Sequence, residues 1–188
     1  MKYLSTDLPG VMLIELEKRV DERGYFARTW CAEEFRAQGL NPTVAQINTS
    51  VSTRAGTLRG MHYQQAPHGE VKIARCVRGS VYDVALDLRP DSPTFRRWYG
   101  VELSAANGLA LYLPEGCAHG YVTLEPDTEL TYMASVPYAP KSARGVRFDD
   151  PAFAIRWPRA AEVISDQDRT WPEFKGQIST GQISTGDH

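Results

Sequence analysis

The sequence predicts an all-β fold, either a β-sandwich or a closed β-barrel. The chain has 188 residues, the size of one domain, because a single hydrophobic core usually serves about 100–200 residues. Short runs rich in β-forming residues follow one another closely and are separated by Gly, Pro, Asn and Asp. Helical signals are scarce, whereas a fold of βαβ units would need a helix between each pair of parallel strands.

The predicted elements follow in chain order. Strands are predicted at residues 11–16, 25–30, 43–52, 57–63, 71–77, 80–88, 97–103, 109–113, 119–124 and 128–134. A short helix is predicted at 32–38, where Gly39 provides a stop signal. After Pro158 the strand pattern ends, and the polar segment that follows is expected to be partly helical. We expect one domain at 1–175 and a disordered low-complexity tail at 176–188, where GQIST occurs twice.

Composition and charge exclude several classes of protein. A hydrophobic fraction of 42% and a charged fraction of 23% exclude disorder along the whole chain. The 21 Lys and Arg against 23 Asp and Glu provide no basic footprint for duplex nucleic acid. No apolar run reaches the ~20 residues of a membrane span, and the first residues do not resemble a signal peptide. The three cysteines lack a CxxC pair, so we expect a cytoplasmic protein without disulfides.

Alternation along two predicted strands places charged residues among small ones. Asp83 and Asp87 fall on one face of 80–88 together with small apolar residues, an arrangement that suits either solvent or a polar barrel interior. Lys72 falls on a face of 71–77 that is otherwise formed by small residues. A lysine on such a face is unusual for a solvated surface.

One motif predicts the type of barrel. The spacing Gly108-x5-Pro114-x-Gly116-x2-His119 fits the second cupin motif except at its last position, where Thr123 stands in place of Asn. The Pro and Gly residues favour a tight turn, and the strand that follows directs His119 into the barrel. The sequence therefore predicts a cupin-type jelly-roll β-barrel with a few short helices.

The first cupin motif is incomplete, which bears on metal binding. Gly56-x5-His62 resembles its start, but the metal-binding version needs a second histidine where this chain has Gln64. Glu70 follows at a loose spacing. Cupin-type sites normally combine about three histidines with a carboxylate, and transition metals favour imidazole ligands. We therefore expect no metal and no cofactor, and histidines used for proton transfer or for hydrogen bonds to substrate.

Further motifs carry a resemblance to one family. They are DERGYF at 21–26, LRGMHYQ at 58–64, VYDVALDLR at 81–89, SPTF at 92–95 and LPEGCAHG at 113–120. Together they resemble dTDP-4-dehydrorhamnose 3,5-epimerase, and the resemblance extends over about residues 10–172. It implies an epimerase of deoxysugar (rhamnose-type) biosynthesis that inverts C3, C5 or both in a nucleotide-linked 4-keto-6-deoxyhexose.

The resemblance also implies the catalytic residues. The C4 carbonyl of such a sugar acidifies the hydrogens at C3 and C5, so inversion needs a base on one face and an acid on the other. His62 matches the base, and Asp168 matches the partner that orients the imidazole and stabilises its charged form. Tyr132 matches the acid that reprotonates the carbon from the opposite face. Lys72 matches the residue that stabilises the enolate oxygen.

The resemblance implies a substrate site shared between two subunits. Arg59 and Arg23 match phosphate ligands, and Tyr138 matches the residue that stacks on thymine. Arg23 and Phe26 belong to N-terminal strands that reach the partner subunit, which implies a domain-swapped homodimer. Other polar positions of the site match Gln46, Asn48 and His119. Strict alternation puts Arg59 and His62 on opposite faces, so both reach the site only through a bulge or a position at the barrel mouth.

Several positions depart from the family pattern. They are Arg28 in place of Glu, Ile47 in place of Asp, Val71 in place of Gly, Met133 in place of Lys and Ala143 in place of Glu. These departures leave open whether one or both carbons are inverted, and whether the nucleotide is dTDP. A catalytically silent protein that binds a nucleotide sugar is the alternative from another class. His62 and Tyr132 argue against it, because binding alone does not need an opposed base and acid.

Overall fold

The computed structural model describes residues 1–176. The predicted disordered tail, with nearly all of the repeated GQIST segment, lies outside the described residues. The strands are β1 (Lys2–Ser5), β2 (Met12–Glu15), β3 (Arg19–Asp21), β4 (Gly24–Phe26), β5 (Gln46–Ser52), β6 (Thr57–Gln64), β7 (Lys72–Arg78), β8 (Ser80–Asp87), β9 (Trp98–Ser104), β10 (Ala110–Leu113), β11 (Cys117–Thr123), β12 (Thr128–Ala134), β13 (Ala143–Gly145) and β14 (Val163–Ile164). The helices are α1 (Ala32–Ala37) and α2 (Asp166–Arg169).

Two sheets form the barrel. The first has the strand order β1-β2-β10-β7-β12-β5, and the second has the order β13-β6-β11-β8-β9, with β14 added in parallel to β6. All other pairs in these sheets are antiparallel, and the sheets pack face to face as a jelly roll. The predicted all-β jelly roll is therefore confirmed.

The core between the sheets follows from strand alternation. Apolar side chains from both sheets, including Val81, Leu111 and Leu130, are fully buried there. The face that contains Asp83 and Asp87 also points inward, and both carboxylates have no exposed surface. The barrel interior, rather than solvent, therefore accounts for the two acids. Each is compensated by hydrogen bonds, as a buried charge requires.

Helix α1 covers the outer face of the first sheet near β2 and β10. Its single buried residue, Phe35, packs edge-on against Tyr3 and at a tilt against Tyr112. Gly39 adopts a positive φ of 70° just after the helix, which only glycine does without strain. The prediction at 32–38 is confirmed to within a residue. The polar segment after Pro158 contains the short helix α2, as expected.

Two predicted strands are shorter than expected. The strand predicted at 25–30 extends only over Gly24–Phe26, because the chain then turns so that Trp30 packs against Phe35. The strand predicted at 43–52 starts at Gln46. Upstream of it the Asn41 side chain accepts a hydrogen bond from the Thr43 amide and holds a turn. The sequence did not predict the short strands β1, β3, β13 and β14.

Strands β3 and β4 form a separate two-stranded hairpin that pairs with neither barrel sheet. Its apolar side chains lie in solvent in the single chain, with Val20 77% exposed and Phe26 69% exposed. Within residues 1–176 no helix is both long enough and apolar enough to cross a bilayer.

Candidate active site

A β-bulge in β6 brings Arg59 and His62 to the same side of the sheet. His62 pairs with His119 of β11, whereas Arg59 pairs with Tyr121, so three steps along β6 match two steps along β11. The extra residue reverses the alternation between the two side chains, and both line one cavity. The conflict that strict alternation predicted is therefore resolved by a bulge.

Glycine is required where the two strands meet at this bulge. Gly60 has a φ of 148°, in the region that favours glycine. A Cβ atom at Gly60 would lie 2.6 Å from the Cα atom of Gly120 on β11, closer than two carbon atoms can approach. The LRG and AHG motifs thus provide the close backbone contact on which the position of His62 depends.

His62 and Asp168 form a hydrogen-bonded dyad. Nε2 of His62 lies 2.5 Å from Oδ1 of Asp168, which leaves Nδ1 as the ring nitrogen able to accept a proton. The backbone amide of Gly60 donates to Oδ2, and the Asp168 amide donates to the capping hydroxyl of Ser165. Burial alone would raise the pKa of Asp168, but the hydrogen bond and charge of His62, with the Gly60 amide and the Ser165 side chain, hold that pKa below its ordinary value.

The opposite wall of the cavity carries a phenol and an ammonium group. Tyr132 on β12 and Lys72 on β7 belong to the first sheet, whereas His62 belongs to the second. Nζ of Lys72 forms an ion pair of 2.9 Å with Oε1 of Glu70. Burial raises the pKa of the Tyr132 phenol; the negative charge of Glu70 raises it further, and the positive charge of Arg59 opposes the rise. Tyr132 is thus held as a protonated acid at neutral pH.

Two further polar pairs lie in the barrel interior. Nε2 of His119 lies 2.9 Å from Oδ2 of the buried Asp83. The hydroxyl of Tyr121 donates to Oγ of Ser50 at 2.9 Å. His119, Tyr121 and Ser50 all line the cavity that contains His62. The wall of the cavity therefore contains several polar side chains, and each of the buried groups named here has a hydrogen-bond partner.

The site is a groove formed by two adjoining cavities of about 610 and 440 Å³. Both are lined by His62, Lys72, Tyr132 and Gln167, so the acid–base residues lie where the cavities meet. The second cavity also contains Gln46, Asn48 and Tyr138. Oε1 of Gln46 accepts a hydrogen bond from the Tyr138 amide and positions that exposed aromatic residue. The groove is large enough for a nucleotide-sized ligand.

The structure brings together nine of the eleven residues predicted for the site. The exceptions are Arg23 and Phe26, which lie on the exposed β3–β4 hairpin. Phe26 lines a different cavity together with Arg28, and Arg28 forms an ion pair with Glu34 there. Within one chain, the structure does not place these residues beside His62. Their predicted contact with a partner subunit remains a prediction.

The departures from the family pattern lie in different parts of the molecule. Ile47 and Met133 pair directly across β5 and β12 on the outer face of the first sheet, so they point away from the groove of their own chain. Val71 is buried in the core, and its amide donates to Ser135. Ala143 lines the second cavity. Of these four departures, only the one at position 143 changes the groove directly.

Gln64 has a structural role at the position where a metal site would need histidine. Its Nε2 donates to the His68 carbonyl, and its Oε1 accepts from the Ala139 amide, so it joins two loops at the groove. The Nε2 atoms of His62 and His119 each form a hydrogen bond with a carboxylate. Across residues 1–176 no group of three or more His, Cys, Asp or Glu is arranged to hold a metal ion.

Sequence reasoning did not assign a site role to Glu70, Asp83 or Tyr121. Alternation placed Asp83 among small apolar residues on a face that suited either solvent or a barrel interior, and the inward direction of that face identifies Asp83 as an interior residue. Tyr121 follows His119 by two residues and so shares its strand face, which is a signal that alternation offers. Glu70 lies outside any strand, and only the folded loop brings it to Lys72.

The fold and the groove together define a class of protein. A jelly-roll barrel with an imidazole–carboxylate dyad on one sheet, facing a phenol and an ammonium group on the other, is suited to moving protons on a small polar substrate. Such a site has a base, an acid and a cation on different walls of one cavity.

Comparisons with known proteins identify the family. Residues 5–176 match the family described as dTDP-4-dehydrorhamnose 3,5-epimerase. A dTDP-4-dehydrorhamnose 3,5-epimerase of Sinorhizobium fredii is 40% identical over 175 residues, 93% of this chain and 90% of that protein. A dTDP-4-dehydrorhamnose 3-epimerase of Streptomyces niveus is 38% identical over 90% of this chain and 82% of its own length.

A solved structure agrees with the sequence comparison. The crystal structure of dTDP-4-dehydrorhamnose 3,5-epimerase from Bacillus anthracis, with TDP and PPi bound, superposes with a TM-score of 0.89 at 37% identity. The match covers 92% of this chain and 99% of that one. The chain therefore belongs to the dTDP-4-dehydrorhamnose 3,5-epimerase family, and its barrel is of the cupin type.

Proposed function

We propose that this protein is an epimerase that inverts C3, C5 or both in a nucleotide-linked 4-keto-6-deoxyhexose, in deoxysugar (rhamnose-type) biosynthesis. The observation that carries the proposal is the placement of His62 and Tyr132 on opposite sheets of one groove. A base and an acid on opposite walls can remove a proton from one face of a carbon and return one to the other face. That geometry is what inversion of a carbon requires.

The proposed reaction proceeds through an enolate. His62 takes the proton from the carbon next to the C4 carbonyl, and the electron pair of the broken C–H bond moves to the C4 oxygen. Asp168 stabilises the imidazolium that forms, and the ammonium group of Lys72 stabilises the enolate oxygen. Tyr132 then donates its proton to the carbon from the opposite face. The imidazolium loses its proton to solvent, and the phenolate regains one.

We propose that the second cavity and the mouth of the groove bind the nucleotide. Arg59 offers a planar guanidinium for phosphate oxygens, and Tyr138 offers an exposed ring for stacking on the base. Gln46 and Asn48 contribute polar contacts to the bound nucleotide sugar, and His119 contacts the sugar. The TDP and PPi bound to the relative from Bacillus anthracis support dTDP as the nucleotide.

A mono-epimerase is the alternative within the same family. The relative from Streptomyces niveus is named a 3-epimerase, so the family scaffold supports inversion at one carbon as well as at two. Ala143 favours this alternative, because it lines the second cavity, which His62 and Tyr132 also line, and its small side chain replaces one that could contact the substrate beside them.

Proton exchange in heavy water tests the proposed function. Incubation with dTDP-4-keto-6-deoxyglucose in D₂O should label C3, C5 or both, as observed by proton NMR. His62→Ala should abolish labelling and inversion, since it removes the base. Tyr132→Phe should impair inversion while leaving some labelling, since deprotonation does not need the phenol. Two labelled and inverted carbons identify a 3,5-epimerase, and one identifies a mono-epimerase.

The same experiment separates the silent-binder alternative. A protein that only binds the nucleotide sugar would retain dTDP affinity and would label neither carbon. Absence of labelling with intact dTDP binding would therefore contradict the epimerase proposal. Absence of both labelling and dTDP binding would point to a different nucleotide.

We also propose that catalysis needs no metal ion. The two imidazoles of the groove are committed to carboxylates, and Lys72 supplies the positive charge for the enolate. Activity should therefore survive exhaustive treatment with EDTA. Complete loss of activity that one divalent ion restores would contradict this. We propose the cytoplasm as the location, because Cys31, Cys76 and Cys117 are all free thiols.

We further propose that the active form is a homodimer with exchanged N-terminal strands. The β3–β4 hairpin exposes apolar side chains, which a soluble protein normally covers. The edge strand β5 lies at one end of the first sheet and exposes Ile47 and Val51, so it offers both free backbone groups and apolar contacts. A hairpin of a second copy placed there would bring Arg23 and Phe26 to the groove.

A further inference from the structure

Glu70 is a carboxylate that the proposed mechanism does not use, although it lines the second cavity of the groove. It precedes β7 by two residues, and its Oε1 lies 2.9 Å from Nζ of Lys72. The side chains of both residues are largely buried, with exposed fractions of 11% and 12%. Glu70 and Lys72 line the second cavity together with Tyr132.

An ammonium group in such a place needs a partner. Removing a charge from water is costly unless an opposite charge and hydrogen bonds compensate it. The Glu70 carboxylate provides that compensation for Lys72, and the contact also fixes the direction of an otherwise flexible four-carbon side chain. Without the carboxylate, the Lys72 side chain would be free to adopt other directions in the groove.

The charge of Glu70 also acts on Tyr132. The other titratable groups that line the two cavities together with the phenol are Lys72 on β7, Arg59, His62 and Tyr63 on β6, His119 and Tyr121 on β11, Tyr138, Arg144 on β13, and Asp168 on α2. After burial, the strongest influences on the pKa of Tyr132 are the charges of Glu70 and Arg59, which act in opposite directions. A negative charge beside a phenol disfavours its ionised form.

We propose that Glu70 is a positioning residue of this enzyme, which holds the Lys72 ammonium where the enolate oxygen forms and keeps the Tyr132 phenol protonated until the carbon accepts its proton. The inference rests on the proposed function. It assigns to one carboxylate the simultaneous control of the cation and the acid, both of which lie on the first sheet and face the base.

The variant Glu70→Gln tests the charge without changing the shape. Its amide oxygen still accepts a hydrogen bond from Lys72, but the negative charge is gone. We expect kcat to fall by about tenfold or more, with KM within about threefold, because the change affects chemical steps rather than binding. The alkaline limb of the kcat–pH profile should move to lower pH, because the pKa of Tyr132 falls when the negative neighbour is removed.

Two further variants separate charge from structure. Glu70→Asp keeps the charge and should keep the alkaline limb near its wild-type position, even where the shorter side chain slows the reaction. Glu129→Gln is the matched control. Glu129 lies on β12 outside the groove, and its carboxylate forms an ion pair of 3.6 Å with Arg78. This control variant should leave kcat and the pH profile unchanged. An equal loss of kcat in Glu70→Gln and Glu70→Asp, with no shift of the alkaline limb in Glu70→Gln, would overturn the inference.

A measurement without turnover distinguishes this inference from the proposed function. Tyrosine labelled with ¹³C at the ring carbon that bears oxygen reports ionisation by NMR, and Tyr132→Phe assigns the signal. The titration midpoint of Tyr132 should be lower in Glu70→Gln than in the wild type, and an unchanged midpoint would overturn the inference. Failure of the wild type to label the sugar in D₂O would instead overturn the proposed function, while the titration still tests Glu70.

Discussion

Asp83 has no exposed surface, yet both of its carboxylate oxygens lie within 3.0 Å of Nε2 of His119. An ionised carboxylate can only accept hydrogen bonds, so it fixes the proton on Nε2 and orients the ring. The arrangement repeats that of Asp168 on α2 with His62, which lies on the same sheet as His119. Each histidine of the groove is thus held by its own acid, one for the proposed base and one for the proposed sugar contact.

The variant Asp83→Asn should weaken substrate binding through His119. The amide keeps the volume but can donate as well as accept, so the imidazole loses its fixed tautomer. We expect kcat/KM to fall by about tenfold, mainly through a higher KM, in steady-state kinetics. His119→Gln should cause a similar loss.

Combining the two variants tests whether Asp83 acts through His119. The double variant should be no worse than His119→Gln alone, because residues that act as one unit give strongly non-additive effects. Additive losses, or a KM that does not change in Asp83→Asn, would contradict the prediction.

At the scale of elements, the bulge in β6 separates what the sequence could predict from what it could not. Alternation correctly grouped the residues that share a strand face with Lys72 and with Asp83, because the period of a strand depends on local geometry alone, but it left open whether the Asp83 face met solvent or the barrel interior. It could not place Arg59 and His62 together, because their relation depends on the register between β6 and β11. The contact of His62 with Asp168, 106 residues away, came only from the family resemblance.

The glycine contact at the bulge predicts the effect of a single methyl group. Gly60→Ala would place a Cβ atom 2.6 Å from Gly120 Cα and would impose a strained φ of 148°. The strands would have to separate, and His62 would move away from the opposite wall. We expect a loss of activity of at least about 100-fold, since misplacement by about 1 Å has that effect. The proton-exchange assay measures the loss of activity, and the thermal unfolding midpoint measures any loss of stability.

A control keeps this result interpretable. Gly39→Ala also replaces a glycine of positive φ, but no atom lies within 4 Å of the point that its Cβ atom would occupy. It should lose stability without a comparable loss of specific activity. Similar specific activities in the two variants would contradict the role assigned to the bulge.

The loop after β8 depends on a buried carboxylate. Asp87 accepts hydrogen bonds from Nε and Nη2 of Arg89, each at 2.8 Å, and from the hydroxyls of Ser92 and Thr94. Gly116 packs against the Arg89 side chain, since a Cβ atom there would lie 2.5 Å from it. The LR, SPT and PEG motifs thus meet around one acid, which gives them a structural role.

This cluster predicts a loss of stability in acid. Burial would raise the pKa of Asp87, but the hydrogen bonds from Arg89, Ser92 and Thr94 lower it from 3.8 to about 2. A depressed pKa stabilises the fold above the unfolded value, and that stability is lost as pH falls from about 4 through about 2. The contribution is about 2 kcal/mol. Urea unfolding across this range should give a steeper pH dependence for the wild type than for Asp87→Asn.

A surface pair provides the control for this prediction. Asp149→Asn breaks an exposed pair with Arg147 and should change the free energy of unfolding by less than about 1 kcal/mol. Asp87→Asn should cost about 3 kcal/mol at pH 7, because it leaves buried donors poorly satisfied. Equal effects of the two variants would contradict the structural role of the cluster.

At the scale of the whole molecule, the groove lacks two of its predicted residues. Arg23 and Phe26 lie on a hairpin that joins neither sheet, whereas the other nine predicted residues line the groove. If one chain formed a complete site by itself, nothing in the structure would account for the exposure of this apolar hairpin. The prediction that Arg23 and Phe26 serve a partner's groove came only from the family resemblance, because nothing local to DERGYF indicates which chain it contacts.

Mixed dimers test whether each site draws on two chains. Arg23→Ala and His62→Ala chains should each have low activity alone. If Arg23 comes from one chain and His62 from the other, one site of every mixed dimer has both defects and the other has neither. Random exchange of subunits should then restore about one quarter of wild-type activity. A mixture of His62→Ala with Tyr132→Phe should restore none, because these residues lie in the same chain's groove. Mass spectrometry of differently tagged chains confirms exchange, and mixed dimers without recovery, or a monomer in sedimentation, would contradict the shared site.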